Sequence, residues 1–354
     1  MEHPDDLIYM RRCLDLARCA EGSTSPNPMV GAVVVHKGKI IGEGYHLKAG
    51  TPHAEVHALY AVKDKSLLPQ ATMYVSLEPC SHHGRTPPCA DLIIESGIRR
   101  VVVGTIDTSA KVSGRGIARL REAGIEVVTD IAGDECREIN KRFFTWHEKM
   151  RPWVILKWAR SADGFLDLVR SPGDPAEPHW ITGMPERILV HRWRSEEDAI
   201  MAGGGTVRTD NPSLDVRLWS GKNPLRVIMS RSGAISPASK VLDGKVETLL
   251  FTCKDGLSLP GVQIIKITDE KNFIREILAE LYSREIQSLL VEGGAFILKS
   301  FIDAGLWDEA RRFTGTVSFG GGIPDPFPGF QPEKTVRFEK SILHITHHFE
   351  NKSV

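Results

Sequence analysis

Apolar residues recur at Leu7, Met10, Leu14 and Ala17, the spacing of a single buried stripe on a helix, and Gly22 with the turn Pro26-Asn27-Pro28 ends it. The apolar runs Gly31-Ala-Val-Val-Val35 and Ile40-Ile41 flank Lys37-Gly38-Lys39, which predicts two strands joined by a tight hairpin. Thr51-Pro52 suits an N-cap followed by proline in the first turn, so a helix is predicted over 53–62 with His53 in its first turn. The pattern then alternates: strand 71–77, helix 89–96 opened by Pro88, strand 99–106, helix 117–123, strand 125–128 and a polar helix over 132–147. Such alternation predicts α/β layers whose sheet is largely parallel in its second half.

Arg151-Pro152 punctuates the chain before a new apolar strand at 153–156. The alternation then resumes with its own rhythm, with strands near 198–202, 224–229, 247–252, 262–267 and 288–291 and helices near 185–194, 272–282 and 295–304. A length of 354 residues suits two domains, and the boundary is placed at 147/148, dividing the chain into 1–147 and 148–354. The halves show no internal repeat. The Pro- and Gly-rich stretch 320–328 reads as a surface loop.

Composition changes this picture little and narrows the function. Lys plus Arg and Asp plus Glu both number 45, so no global positive field gathers a nucleic acid. No apolar run approaches the ~18 residues of a membrane span, and the acidic start is unlike a signal peptide, so no membrane partner and a cytoplasmic location are expected. Of the six cysteines, Cys80 and Cys89 form the one pair set close together in a polar segment.

That pair belongs to a constellation. His53-Ala-Glu55 is followed by Glu78-Pro-Cys-Ser-His-His-Gly-Arg-Thr-Pro-Pro-Cys89. One histidine and two thiolates offer zinc three ligands and leave a fourth tetrahedral position to water, the arrangement of a catalytic rather than a structural site. Glu55 beside the metal suits the carrier of a proton to a ring nitrogen and then to departing ammonia. The order matches the zinc-deaminase signature H-x-E…P-C-x-x-C, except that eight residues separate the cysteines instead of two. His57, four residues after His53 on the same helical face, is a rival ligand. The insert brings His82, His83 and Arg85 to the mouth of the site, where they suit an anionic substrate group. Asn27 either hydrogen-bonds the ring or serves as a turn residue.

The motifs Pro26-Asn27-Pro28-x-Val30-Gly31, Gly42-Glu-Gly-Tyr-His46, Pro52-His-Ala-Glu-Val-His-Ala58 and the Glu78–Cys89 run together resemble the bifunctional deaminase/reductase family of riboflavin biosynthesis. The resemblance implies a cytidine-deaminase-like N-terminal α/β/α domain joined to a dihydrofolate-reductase-like α/β domain. It implies one Zn²⁺ held by His53, Cys80 and Cys89, and a diaminopyrimidinone substrate carrying a phosphoribosylamino group met by Asn27, His46, His82 and Arg85.

Read from residues alone, the second half is less specific. Gly203-Gly-Gly-Thr206 after a strand and Glu292-Gly-Gly294 before a helix are places where backbone N–H groups could meet a phosphate, or simple packing turns. The resemblance extends across this half through Leu156-Lys157-x-Ala159-x-Ser161-x-Asp163-Gly164, Trp180-Ile-Thr182, Arg194, Gly205-Thr-Val207, Asp210-Asn-Pro212, Leu214, Arg217 and Val291-Glu-Gly-Gly294. It implies that NADPH reduces C1 of the opened ribose, with Ala159, Trp180, Thr206, Asp210 and Gly294 at the cofactor and Arg194, Leu214, Arg217 and Glu292 at the phosphorylated substrate. Guanidinium groups suit that phosphate. Lys157 would position or protonate the sugar, and Arg231 is assigned to the 2′-phosphate of NADPH. The resemblance also implies a homo-oligomer. The chain departs from the family at Asp107-Thr-Ser-Ala110 and at Ser171–His179, where Pro178 replaces a substrate-contacting serine. Three alternatives stand beside this reading: a working deaminase with a degenerate reductase, a nucleic-acid deaminase with an unrelated second domain, and a non-catalytic metal-stabilised scaffold.

Overall fold

The computed structural model describes residues 5–81, 87–109, 112–171 and 174–348. The chain forms two compact units, Met1–Met150 and Arg151–Val354.

The first unit runs α1 (Asp6–Arg18), β1 (Gly31–His36), β2 (Lys39–Tyr45), α2 (Ala54–Ala61), β3 (Thr72–Leu77), α3 (Cys89–Glu95), β4 (Arg100–Thr105), α4 (Arg115–Glu122), β5 (Glu126–Thr129), α5 (Gly133–Ile139) and α6 (Lys141–Lys149). Its sheet has the order β2-β1-β3-β4-β5, antiparallel at β2-β1-β3 and parallel from β3 to β5. The side-chain period of two makes both faces of β1 apolar. Ala32 and Val34 pack with Ala58, Ile93, Ile117 and Leu120 of the helices on one side. Val33 and Val35 pack with Met10, Cys13, Leu14 and Cys136 on the other. Helices therefore cover both faces. Close approach of α2 to the sheet requires Gly44, where a Cβ would lie 2.3 Å from the Cβ of His57.

Two boundaries differ from the pattern-based expectation. His53 is the N-cap of α2, with extended backbone, so the helix begins one residue after it instead of enclosing it. The helix expected over 132–147 is broken at Asn140, whose φ of −107° lies outside the helical range. The Asn140 side chain accepts from the Met29 N–H at 2.8 Å and donates to the Met29 carbonyl at 2.9 Å, a tertiary contact that periodicity does not reveal.

The second unit runs β6 (Trp153–Arg160), β7 (Phe165–Asp167), α7 (Met184–Glu196), β8 (Ala199–Gly203), α8 (Gly204–Asp210), β9 (Leu225–Met229), β10 (Thr248–Thr252), β11 (Gln263–Lys266), α9 (Phe273–Ser283), β12 (Ser288–Val291), α10 (Ala295–Ala304), β13 (Glu309–Gly315), β14 (Ile323–Pro324), β15 (Lys334–Arg337) and β16 (Ser341–His347). Its large sheet has the order β11-β10-β9-β8-β12-β6-β13-β16-β15, parallel from β11 to β13 and antiparallel beyond. Strand β14, within the stretch 320–328 expected to be loop, pairs antiparallel with β7. Strand β13 escapes a hydrophobic reading because Glu309, Arg311 and Arg312 are buried charges in its first half. Arg311 pairs with Glu309 at 2.6 Å and lies over the Trp193 ring, while Arg312 pairs with Asp325 at 3.3 Å and lies over Phe330. Among the described residues no helix is long and apolar enough to cross a membrane.

Two candidate active sites

In the first unit, His53 at the start of α2, Cys80 just past β3 and Cys89 at the first position of α3 bring their ligating atoms within 4.8 Å of one another. His53 Nδ1 lies 3.6 Å from Cys80 Sγ and 3.3 Å from Cys89 Sγ. Tetrahedral nitrogen and sulfur ligands at ordinary zinc distances would sit about 3.6 Å apart, so the donor set fits the ion in both chemistry and spacing. The Cys89 N–H donates to Cys80 Sγ at 3.3 Å, and hydrogen bonding from the Cys89 side chain draws the Cys80 thiol below its ordinary range, favouring the thiolate a metal needs. Glu55, on the first turn of α2, is buried, which raises its carboxyl above the usual range. His57 is not part of the ligand cluster.

His46 is buried edge-on to His53, with ring centroids 5.4 Å apart. Its Nδ1 lies 3.1 Å from the Pro52 carbonyl, which can only accept, so Nδ1 carries the proton. Nε2 then accepts from the Asn27 amide at 3.1 Å, and burial holds the imidazole neutral by lowering its pKa. The Asn27 carbonyl oxygen is thereby left as the acceptor that a ring N–H would meet. Asn27 is thus a turn residue whose side chain is joined to His46. His82 and Arg85 lie outside the described residues.

Glu78, which the sequence reading passed over, is buried beside this cluster and accepts four backbone N–H groups, from Asp107, Gly114, Gly116 and Ile117, at 2.9–3.2 Å. Its proximity to Cys80 in sequence was visible, but its partners are distant in the chain.

In the second unit, a cleft of about 1160 Å³ opens at the carboxyl ends of β6, β8, β9 and β12. Every residue expected here lines it: Lys157, Ala159, Trp180, Arg194, Thr206, Asp210, Leu214, Arg217, Arg231, Glu292 and Gly294. Arg194 donates to both oxygens of Glu292 at 2.7 and 2.9 Å, and Lys157 Nζ lies 3.6 Å from the same carboxylate. Burial opposes the charge on Glu292, yet the Arg194 and Lys157 cations prevail and hold it at about 2. Burial lowers the pKa of Lys157, with Glu292 opposing. Thus Lys157 is no solvated strand end. His191, also unforeseen, accepts the Arg217 N–H on Nδ1 at 3.2 Å, and burial lowers it to about 4, so a neutral imidazole presents Nε2–H. Arg231 is largely exposed and pairs with Glu270 at 3.3 Å. Trp180 is half-exposed, with Arg187 over its ring at 3.9 Å.

A further cluster, Asp167, Arg170 and His179, was missed because its members are joined by folding and only His179 falls in the Ser171–His179 segment where the chain departs from the family pattern. Arg170 donates to Asp167 at 2.8 Å, to Asp210 at 3.1 Å and to the carbonyls of Glu177 and Thr209 at 2.6 and 2.9 Å. Burial pushes the Asp210 carboxyl up, with Arg170 among the groups opposing.

Residues 4–105 match the cytidine and deoxycytidylate deaminase zinc-binding region, and residues 152–347 match the RibD C-terminal domain. The chain is 42% identical to a riboflavin biosynthesis protein RibD of Aquifex aeolicus, covering 90% of this chain and 89% of that one. It is 37% identical to the RibD of Escherichia coli, covering 86% of each. Among solved structures, a diaminohydroxyphosphoribosylaminopyrimidine deaminase/5-amino-6-(5-phosphoribosylamino)uracil reductase from Thermotoga maritima superposes with a TM-score of 0.86 at 38% identity, covering 97% of this chain and 99% of that one. RibD of Acinetobacter baumannii superposes with a TM-score of 0.85 at 31% identity, covering 98% and 99%. The first unit accordingly has a cytidine-deaminase-like fold and the second a dihydrofolate-reductase-like fold. Matched along both halves, the chain belongs to the RibD family of riboflavin biosynthesis proteins, in which a zinc-dependent deaminase and an NADPH-dependent reductase share one polypeptide.

Proposed function

We propose that this chain hydrolytically removes the 2-amino group of 2,5-diamino-6-(5-phosphoribosylamino)pyrimidin-4-one and then reduces the ribosyl group of the product to ribityl. The observation that carries the first step is the convergence of His53, Cys80 and Cys89 beside buried Glu55. Zinc held there by those three side chains would supply an activated water near neutral pH. Glu55 takes one proton from the attacking water and delivers it to the ring nitrogen, then takes the second and delivers it to the departing amino group, which leaves as ammonia. Asn27, set by its bond to His46, orients the ring, and His82 and Arg85 meet the anionic end of the substrate.

For the second step, a nicotinamide bound in the cleft would supply hydride to C1 of the sugar. Arg194, Arg217, Leu214 and Glu292 hold the phosphoribosyl group, and Lys157 positions the sugar against Glu292. Ala159, Trp180, Thr206, Asp210 and Gly294 line the cofactor's path, and Arg231 takes its 2′-phosphate. Arg231→Ala should therefore narrow the preference for NADPH over NADH. The intact Lys157–Glu292–Arg194 cluster supports a working reductase over a degenerate one. The six thiols, all free, suit the cytoplasm, and self-association is carried over from the family.

The test is to incubate zinc-loaded protein with the diaminopyrimidinone, with and without NADPH, following ammonia release and NADPH absorbance. Ammonia should appear without NADPH, and NADPH oxidation should follow. Glu55→Gln should lower ammonia release at least 10²-fold, on the scale of a lost general acid–base, while zinc content stays at one per chain. Ammonia release that survives this change would remove Glu55 from the mechanism.

A further inference from the structure

The reductase cleft contains a carboxylate–imidazole pair that the mechanism above does not use. His179 Nδ1 lies 2.6 Å from Asp167 Oδ1. Both residues line the cleft, together with Lys157 and Glu292. A carboxylate can only accept at that distance, so Nδ1 carries the hydrogen and Nε2 is the nitrogen that exchanges protons. The pair is anchored on three sides. Arg170 donates to Asp167 through Nε at 3.1 Å and Nη2 at 2.8 Å, to Asp210 at the end of α8, and to the Glu177 carbonyl two residues before His179. The Phe319 ring stands edge-on to the imidazole at 6.3 Å. The charged groups facing His179 are therefore Asp167 from β7, Arg170 from the following segment and Asp210 from α8.

On the reading of the second step given above, we propose that His179, oriented by Asp167, is the general acid of the reduction. Opening the glycosylamine breaks the C1–O4′ bond as the exocyclic nitrogen lone pair forms C1=N. O4′ takes the proton from His179 Nε2 and becomes a hydroxyl. C1 then accepts hydride from the reduced nicotinamide, and the C=N pair returns to nitrogen. One proton and one hydride enter, matching the two hydrogens gained by the sugar. Lys157 is the rival donor, but its ammonium is already engaged with Glu292 at 3.6 Å. The His179 side chain is 42% exposed, so the cleft solvent can return its proton after each turnover.

The experiment uses full-length protein and pre-deaminated substrate. In His179→Gln, the kcat of NADPH oxidation should fall about 10²-fold or more. The NADPH Kd, read by fluorescence, should stay within about twofold, and Asp167→Asn should lower kcat in the same direction. Retention of wild-type kcat in His179→Gln overturns the proposal. So does a variant that loses NADPH affinity but keeps kcat at saturation, because His179 would then serve binding alone. If wild-type protein does not oxidise NADPH with this substrate at all, the functional reading itself has failed.

Discussion

Glu292 shows how one buried carboxylate ties stability to the site. Its pKa falls from 4.5 to about 2 on folding because Arg194 and Lys157 outweigh burial. A depressed carboxylate stabilises the fold fully above the unfolded value, and that contribution disappears as pH falls through the folded value. The window is thus 4.5 down to about 2, with roughly 3 kcal/mol at stake over that interval. Comparing urea unfolding of wild type and Glu292→Gln, the wild-type advantage should shrink between about pH 5 and about pH 3. An advantage that stays constant across that range would mean the ion cluster is not formed in solution. His191 adds to acid sensitivity in the same sense, since burial keeps it neutral and it must charge as the chain unfolds below its ordinary range.

At the scale of elements, the zinc cluster depends on a loop clasped by a carboxylate. Glu78, at the end of β3, gathers N–H groups from Asp107 and from the start of α4, so it caps that helix and ties it to the strand that leads to Cys80. Gly116 completes the contact, since a Cβ there would lie 2.0 Å from the Pro79 carbonyl oxygen. Glu78→Gln puts an NH₂ where N–H groups need an acceptor, and should cost about 3 kcal/mol. The measurement is the denaturant midpoint of the zinc-loaded N-terminal unit. A loss below about 1 kcal/mol would show that water replaces the carboxylate and that the loop does not rely on it.

For the molecule as a whole, two units with separate cores and separate sites should answer to different ligands. A chelator should abolish ammonia release while leaving NADPH oxidation of pre-deaminated substrate intact. NADPH at 100 times its Kd should stabilise the C-terminal unit by about 2.7 kcal/mol, read as a shift in that unit's calorimetric transition. Equal loss of both activities on chelation would contradict this division of labour.

The His53–Cys80–Cys89 cluster, the buried Glu55 beside it and most strands of the two large sheets were legible in the sequence, because each rests on local spacing. Val33 and Val34 alternate between two cores whatever the remainder of the chain does, and a His-x-Glu followed by a Pro-Cys has few other uses. The break at Asn140, buried charged β13 and the pairs Glu78–Gly116 and Asp167–His179 were not legible. Their partners are brought together only when distant segments pack. Hydrogen bonds and ion pairs across such distances leave no period in the sequence, since what selects those residues is a neighbour that exists only in the folded chain.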